Sequence, residues 1–324
     1  MTTITLARAI NDGLRHALSN DPAVLLLGED IGRLGGVFRV TDGLRADFGA
    51  DRVVDTPLGE AGIVGSAIGL AMRGYRPVCE IQFDGFVFPA VNQIITQLAK
   101  YRHRSGGRIA MPVVIRIPYG GGIGSIEHHS ESPEAYFAHT PGLKVVTCAT
   151  PDDAFTMIGQ AISSDDPVIF LEPKRRYWSK GEVTGGAPPL GLHQARTVRS
   201  GSDVTLVAYG PLVAPALEAA GVAEEEGHSV EVIDLRSLAP LDTDTVVSSV
   251  LRTGRLVITH EASRTHGIGA EITARVQEEA FYALEAPVLR VTGYDTPYPP
   301  SRLEEEWLPG VERMLAAVDR SLAF

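Results

Sequence analysis

The stretch LKVVTCATPDDAFTMIGQAISSDDPVIFLEP, residues 143–173, decides the fold class. LKVVTCA (143–149) is a short apolar run with the β-branched residues of a strand. DDAFTMIGQAI (152–162) changes to helical spacing, and PVIFLEP (167–173) returns to an apolar run. Strands that are apolar on both faces, separated by helices, belong to a parallel sheet covered on both sides. The same alternation extends outward. PAVLLLGED (22–30), RPVCEIQF (76–83) and MPVVIRIPYG (111–120) read as strands, and 59–72 and 91–102 as helices, the latter with Ile94, Leu98 and Tyr101 on one face. SKGEVTGGAPPLGLHQARTVRSGSD (179–203) then breaks the pattern with Gly, Pro and Ser. The pattern restarts with strands at 203–210, 228–235, 254–262 and 286–293. Helices are expected at 211–226, ending at Gly227, at 269–283, and from Glu304 to Leu322 with an interruption at Pro309 and Gly310. The expectation is an α/β protein with two α/β/α domains, 1–185 and 204–324, joined by a linker at 186–203.

Composition narrows the classes. A chain of 324 residues suits two domains, and 44% apolar with 21% charged residues is ordinary for a globular protein. A net charge of −11 argues against non-specific nucleic-acid binding. It suits a basic protein partner, but solubility alone asks for as much. Cys79 and Cys148 are the two cysteines. They form no metal-binding spacing and suggest a reducing compartment. The N-terminus carries early charges at helical spacing, unlike a targeting sequence. No uncharged apolar run approaches the roughly 18 residues of a membrane span. A cytoplasmic protein is expected.

Several motifs fail on inspection. His260-Glu261 opens like a zinc-protease helix, but Arg264 stands where the second histidine belongs. The glycines at 120–124 and 267–269 lack the third glycine of a dinucleotide fingerprint, which disfavours a nicotinamide-dependent dehydrogenase.

Three stretches carry chemistry. In DTPLGEAGIVGSAIGLAMRG (55–74), Gly62, Gly65 and Gly69 make a bare helical stripe. Each costs roughly 0.5–1 kcal/mol relative to alanine, so a close backbone approach is the expected compensation. Glu60 begins that helix, where its negative charge also suits the helix dipole. CEIQFDGFVFPAVNQ (79–93) concentrates Phe83, Phe86 and Phe88 at a strand end. Such aromatics either fill the core or line a ligand crevice. RIPYGGGIGSIEHHSESPEAYFAHTPGLKVV (116–146) runs from a strand through a glycine loop to His128-His129 and a helix start. Ser130 or Ser132 is the expected cap, with Glu134 in the first turn.

Together these stretches resemble the beta subunit of the decarboxylating component of 2-oxo acid dehydrogenase complexes. The likeness extends through GEDIGRLGGVFRVTDGL (28–44), TPLGEAGIVG (56–65), EIQFDGFVFPA (80–90), LAKYRHRSGG (98–107), HHSESPEAYFAHTPGLKVV (128–146), VIFLEPKRRY (168–177) and TGYDTPYPP (292–300). The resemblance implies a transketolase-like pyrimidine-binding domain followed by a transketolase C-terminal-like domain, with thiamine diphosphate as cofactor. It implies an alpha subunit that holds magnesium and diphosphate and completes an alpha2beta2 heterotetramer. Asp42-Gly43 and Asp84-Gly85 here lack the asparagine arrangement of that diphosphate motif.

Carried onto this sequence, the resemblance assigns Glu60 to the aminopyrimidine N1′, where a carboxylate favours the imino tautomer that deprotonates the thiazolium carbon. It assigns Phe86 to packing on that ring, and Leu58 and Gln82 to neighbouring cofactor contacts. His129 is assigned to acyl transfer to the lipoyl group of the dihydrolipoyl acyltransferase, with His128 as an adjacent second histidine. A potassium ion is implied near Val113, Ala161 and Asp166, although Ser164 stands where a carboxylate is common. The C-terminal domain is implied to dock the acyltransferase's basic subunit-binding domain, for which Glu304 to Glu306 offer negative charge. EIQFDGFVFPA and HHSESPEAYFAH look more like branched-chain than pyruvate members. Pyruvate or acetoin specificity, or a non-catalytic scaffolding subunit, are the alternatives.

Overall fold

The computed structural model describes residues 2–184 and 190–324. Residues 186–189 of the expected linker lie outside them. The strands are β1 (Thr2–Thr5), β2 (Val24–Gly28), β3 (Val53–Asp55), β4 (Arg76–Glu80), β5 (Val114–Tyr119), β6 (Lys144–Thr147), β7 (Val168–Pro173), β8 (Lys180–Val183), β9 (Arg196–Arg199), β10 (Val204–Ala208), β11 (Val230–Asp234), β12 (Ser237–Ala239), β13 (Leu256–Ser263) and β14 (Leu289–Gly293). A seven-stranded sheet has the order β12-β6-β7-β5-β4-β2-β3, and a five-stranded sheet the order β14-β13-β10-β11-β9. β1 and β8 pair antiparallel as a separate ribbon.

The first sheet is parallel from β6 to β3, and its strands are apolar on both faces. Leu25 and Leu27 of β2 join one core cluster, while Val24 and Leu26 join another on the opposite face. Ile169 and Leu171 of β7 divide from Val168 and Phe170 in the same way. This is the physical reason the strands read as unbroken apolar runs. One face is covered by the helices Leu6–Asn20 and Pro151–Ser163. Thr5 and Thr150 cap them by accepting the amides of Arg8 and Asp153, each at 3.2 Å. Gly13 lets the two helices touch, since a Cβ there would sit 3.0 Å from the Phe155 carbonyl oxygen.

The other face packs against the second half of the chain. Val207, Ile233, Ile258 and Ile272 share one continuous cluster with Leu25, Ile115 and Leu171. The outer face of the second sheet is covered by the helices Val213–Glu225 and Val311–Leu322. Gly227 takes a φ of +90° just after the first of these, as expected at a helix C-terminus.

Three readings need correction. Arg196–Arg199, inside the expected linker, forms β9 and pairs antiparallel with β11. β12, from the C-terminal half, adds antiparallel to β6 in the first sheet, so the two halves interleave. The helix expected at 91–102 winds as a π-helix over Asn92–Leu98 before becoming α-helical at Ala99–Arg104. Ile94 and Leu98 are nonetheless buried, as the spacing suggested.

Candidate active site

In the first sheet the chain runs from β2 to β3 on one side and then returns to β4 on the other. Such a reversal opens a crevice beyond the carboxyl ends of the strands. Glu29 follows β2, Leu58 and Glu60 follow β3, Gln82 and Phe86 follow β4, and the glycine loop with His128 and His129 follows β5. All the expected cofactor and catalytic positions therefore lie at one end of one sheet.

The acidic side is built from Glu29 and Glu60. Glu60 is the first residue of the helix Glu60–Met72 and is half-buried. Glu29 is buried, and its Oε1 accepts the Gly59 amide at 3.3 Å. Burial raises the Glu29 pKa above the ordinary carboxylate value, and the neighbouring Glu60 charge adds to it. Glu29 escaped the sequence reading, although it lies in the quoted GED. Leu58 is 83% exposed on the loop before the helix. The glycine stripe is uncovered within this chain. Among the described residues nothing lies within 4 Å of a Cβ built on Gly62 or Gly69, and Gly65 meets only the Gln93 side chain, at 3.8 Å.

The aromatic side brings together residues far apart in sequence. The 3-10 turn Asp84–Ala90 packs against the helix Glu60–Met72 and against Glu127–His129. The His129 ring meets Phe83 edge-on at 4.2 Å and Phe86 at 5.2 Å between centroids, and His128 lies 4.3 Å away. Gln82 is half-buried beside them in the chain. Phe88 points elsewhere, 41% exposed and edge-on to Tyr136. Burial, then the His128 and Lys174 charges, lower the His129 pKa, which favours a neutral imidazole at pH 7. Among the described residues, neither its buried Nδ1 nor the buried Thr56 Oγ1 after β3 has a partner. Orphaned polar atoms beside aromatic rings and a carboxylate fit a polar heteroaromatic cofactor.

The C-terminal half holds the glycine loop. Glu304 Oε1 accepts the Gly122 amide at 2.9 Å, Glu304 Oε2 accepts the Gly124 amide at 3.0 Å, and Tyr298 donates its hydroxyl to Oε1 at 2.5 Å. Glu261 Oε2 accepts the Gly121 amide at 2.9 Å, and its Oε1 pairs with Arg175 at 2.6 Å. Two expectations fail here. Glu304 is buried in this latch and is not free surface charge, unlike Glu305 and Glu306. Neither Ser130 nor Ser132 caps the helix Glu134–Ala138, which starts after Pro133 without a side-chain cap. Ser130 Oγ donates instead to the Ser125 carbonyl at 3.3 Å. Glu134 is buried and accepts the Tyr209 hydroxyl at 2.7 Å, and burial pushes its pKa up to about 7.

The oxygens expected to hold potassium already have protein partners. Asp166 faces Arg102 at 2.5 Å and Lys144 at 3.2 Å. These two cations outweigh burial and lower its pKa. The Val113 and Ala161 carbonyls accept the amides of Val168 and Ser164, and Arg76 donates to the carbonyls of Ile162 and Ser164. A potassium ion would have to share this loop with three basic side chains. Among the described residues, no group of three or more His, Cys, Asp or Glu is arranged to hold a metal. Both cysteines are buried free thiols, and no helix among the described residues is long and apolar enough to cross a membrane.

Two sheets sharing a core, with a carboxylate and an aromatic-histidine cluster at the strand ends of the first, agree with the transketolase-type chain that the resemblance implies. Residues 2–179 match the family described as transketolase, pyrimidine binding domain, and residues 193–314 match transketolase, C-terminal domain. The pyruvate dehydrogenase E1 component subunit beta of Leifsonia xyli subsp. xyli is 62% identical over 322 residues, covering 99% of this chain and 96% of that one. The 3-methyl-2-oxobutanoate dehydrogenase subunit beta of Mycobacterium tuberculosis is 56% identical over 321 residues, covering 99% and 92%. A solved split-gene transketolase, described as an inactive beta4 tetramer, matches with a TM-score of 0.83 at 24% identity, covering 99% and 98% of the two chains. This last likeness concerns the fold. The chain belongs to the family of beta subunits of the E1 component of 2-oxo acid dehydrogenases.

Proposed function

We propose that this chain supplies the aminopyrimidine half of a thiamine diphosphate site in a branched-chain 2-oxo acid dehydrogenase. An alpha subunit supplies the other half and the magnesium. The observation that carries the reading is the convergence of Phe83, Phe86 and His129 at the end of the sheet that also places Glu29 and Glu60. When bound, the cofactor contributes the carbon nucleophile and the electron sink for decarboxylation. Glu60 would hydrogen-bond the ring nitrogen of the pyrimidine, and the raised pKa of Glu29 beside it would ease proton exchange. Phe86 would pack on the ring, and Leu58 and Gln82 would border it. The lowered pKa of His129 favours its neutral form, whose ring can take up and pass on a proton as the lipoyl disulfide opens and is reductively acylated. The bare glycine stripe leaves room for a backbone of the alpha subunit, a role that accounts for three helix-weakening residues on one exposed face. Docking of the acyltransferase falls to the C-terminal half, with Glu305 and Glu306 the exposed acids of the tail.

Pyruvate is the second reading, favoured by the 62% identical relative. The test uses this chain co-purified with its alpha partner, thiamine diphosphate and magnesium. Reduction of an artificial electron acceptor is followed with 3-methyl-2-oxobutanoate and pyruvate side by side. Faster turnover of the branched acid, absent from either chain alone, is the expected result. A pyruvate preference would change the substrate and keep the mechanism. Glu60→Gln should preserve assembly and lower turnover by about 10²–10⁴-fold. Near wild-type turnover would remove Glu60 from the mechanism.

A further inference from the structure

Asp84, Gly85 and Lys174 have no part in the reading above, yet all three bear on the histidine segment. Asp84 and Lys174 are shielded from solvent, and Lys174 Nζ pairs with Asp84 Oδ1. A buried ion pair contributes little stability compared with apolar residues of the same volume, so its placement calls for another explanation. Each member also holds backbone. Lys174 Nζ donates to the His129 carbonyl oxygen at 2.6 Å. Asp84 Oδ2 accepts the Glu131 amide at 2.5 Å. The two peptide groups flanking Ser130 are thus held by opposite ends of one pair. Gly85 fixes a third point. The His128 backbone lies so close that a Cβ on Gly85 would stand 2.9 Å from the His128 Cα and nearer still to its carbonyl oxygen. The Lys174 ammonium also lies 5.6 Å from the centre of the Phe83 ring, which itself meets His129.

We propose that Asp84, Gly85 and Lys174 form a clamp that positions the His129 imidazole for acyl transfer to the lipoyl group and has no role in decarboxylation. The inference rests on the proposed role of His129. The fixed points lie on the backbone at residues 128, 129 and 131, so the clamp sets the Cα–Cβ direction of His129. The walls of Phe83, Phe86 and His128 then set its ring. Freeing the segment would let the imidazole wander by about an ångström, and a displacement of that size costs a reacting group on the order of 10²-fold in rate.

The test uses the assembled heterotetramer with thiamine diphosphate and magnesium. One variant is Gly85→Ala. The other is the double substitution Asp84→Asn with Lys174→Met, which leaves no unpaired charge and keeps an acceptor for the Glu131 amide. Two reactions are followed: reduction of an artificial acceptor, and single-turnover acylation of an isolated lipoyl domain. Expected is an acceptor reaction within about threefold of wild type, with lipoyl acylation falling about 10²-fold in kcat and little in KM. His129→Ala is measured in parallel. If His129→Ala slows acylation and both clamp variants leave it intact, the clamp is refuted and the reading of the site stands. If His129→Ala leaves acylation unchanged, the role of His129 falls and the clamp with it. Equal losses in both reactions, in variants that still assemble, would reduce the clamp to general support of the fold.

Discussion

Replacing Arg116 by methionine tests how the floor beneath the crevice is held together. Arg116 lies on β5 and is 1% exposed. Its guanidinium reaches Glu172 at 2.6 and 3.0 Å and Glu80 at 2.7 Å, and Tyr177 donates to Glu172 at 2.5 Å. Arg116→Met leaves two buried carboxylates facing each other without a cation. Breaking a buried pair from one side costs about 3–5 kcal/mol. The alternative is protonation. Bringing a carboxyl of ordinary pKa 4.5 to its neutral form at pH 7 costs about 3 kcal/mol, so two such groups cap the loss at about 7 kcal/mol. A loss of about 4 kcal/mol lowers Tm by roughly 6 °C in a chain of 324 residues. The pH dependence has a definite sign. Burial already raises the Glu80 pKa, and Arg116 opposes that rise. Without Arg116 the folded-state value climbs further above 4.5, so the folded variant holds a proton that the unfolded chain has released. The deficit should therefore be largest above pH 7 and shrink as pH falls toward 4.5. Thermal unfolding of wild type and variant at pH 7.5 and 5.5 measures both effects. The triple substitution Arg116→Met, Glu80→Gln, Glu172→Gln should recover most of the loss, because it leaves no unpaired charge. A single variant within about 1 kcal/mol of wild type at pH 7.5, or a deficit that grows on acidification, would refute this reasoning.

Two further outcomes follow from groups outside the cofactor crevice. Burial lowers the His260 pKa to about 4, so the unfolded chain takes up a proton below pH 6.5 that the fold refuses until about pH 4. The fold should lose about 1.4 kcal/mol per pH unit across that window, about 3 kcal/mol in all, and His260→Gln should flatten this part of the stability–pH curve. Equal slopes in urea titrations of both proteins would contradict it. Glu304→Gln should weaken the latch on the glycine loop by about 1.5–3 kcal/mol, the range for hydrogen bonds to a charged group. Amide exchange at Gly122 and Gly124 should then quicken by about 10–10²-fold, and unchanged exchange would show that Glu304 does not hold the loop.

The residues that make the strands are locally recognisable. Val24–Gly28 and Val168–Pro173 are buried on both faces, and such strands must be apolar throughout, so the parallel sheet could be read without coordinates. Glu60 at a helix start and Gly227 at a helix end were legible for the same reason, since caps and dipoles act over one turn. The resemblance of quoted motifs carried the family, and the relatives agree with it.

Other features depend on segments distant in sequence. The sequence could not show β12 crossing to the first sheet or Arg196–Arg199 pairing as β9, because strand partners are chosen by packing and hydrogen bonding across the fold. Glu304 read as one of three surface acids, and the fold instead sets its carboxylate against the amides of Gly122 and Gly124, some 180 residues earlier in the chain. Asp84 read as part of a failed diphosphate motif until Lys174 met it through 90 residues of intervening chain. Amino-acid sequence alone determined which residues must be buried and where the chain must turn, because burial and local conformation are properties of short segments. The tertiary structure decided which charges meet, because a buried charge is tolerated only beside a partner, and the topology of the sheets delivers that partner.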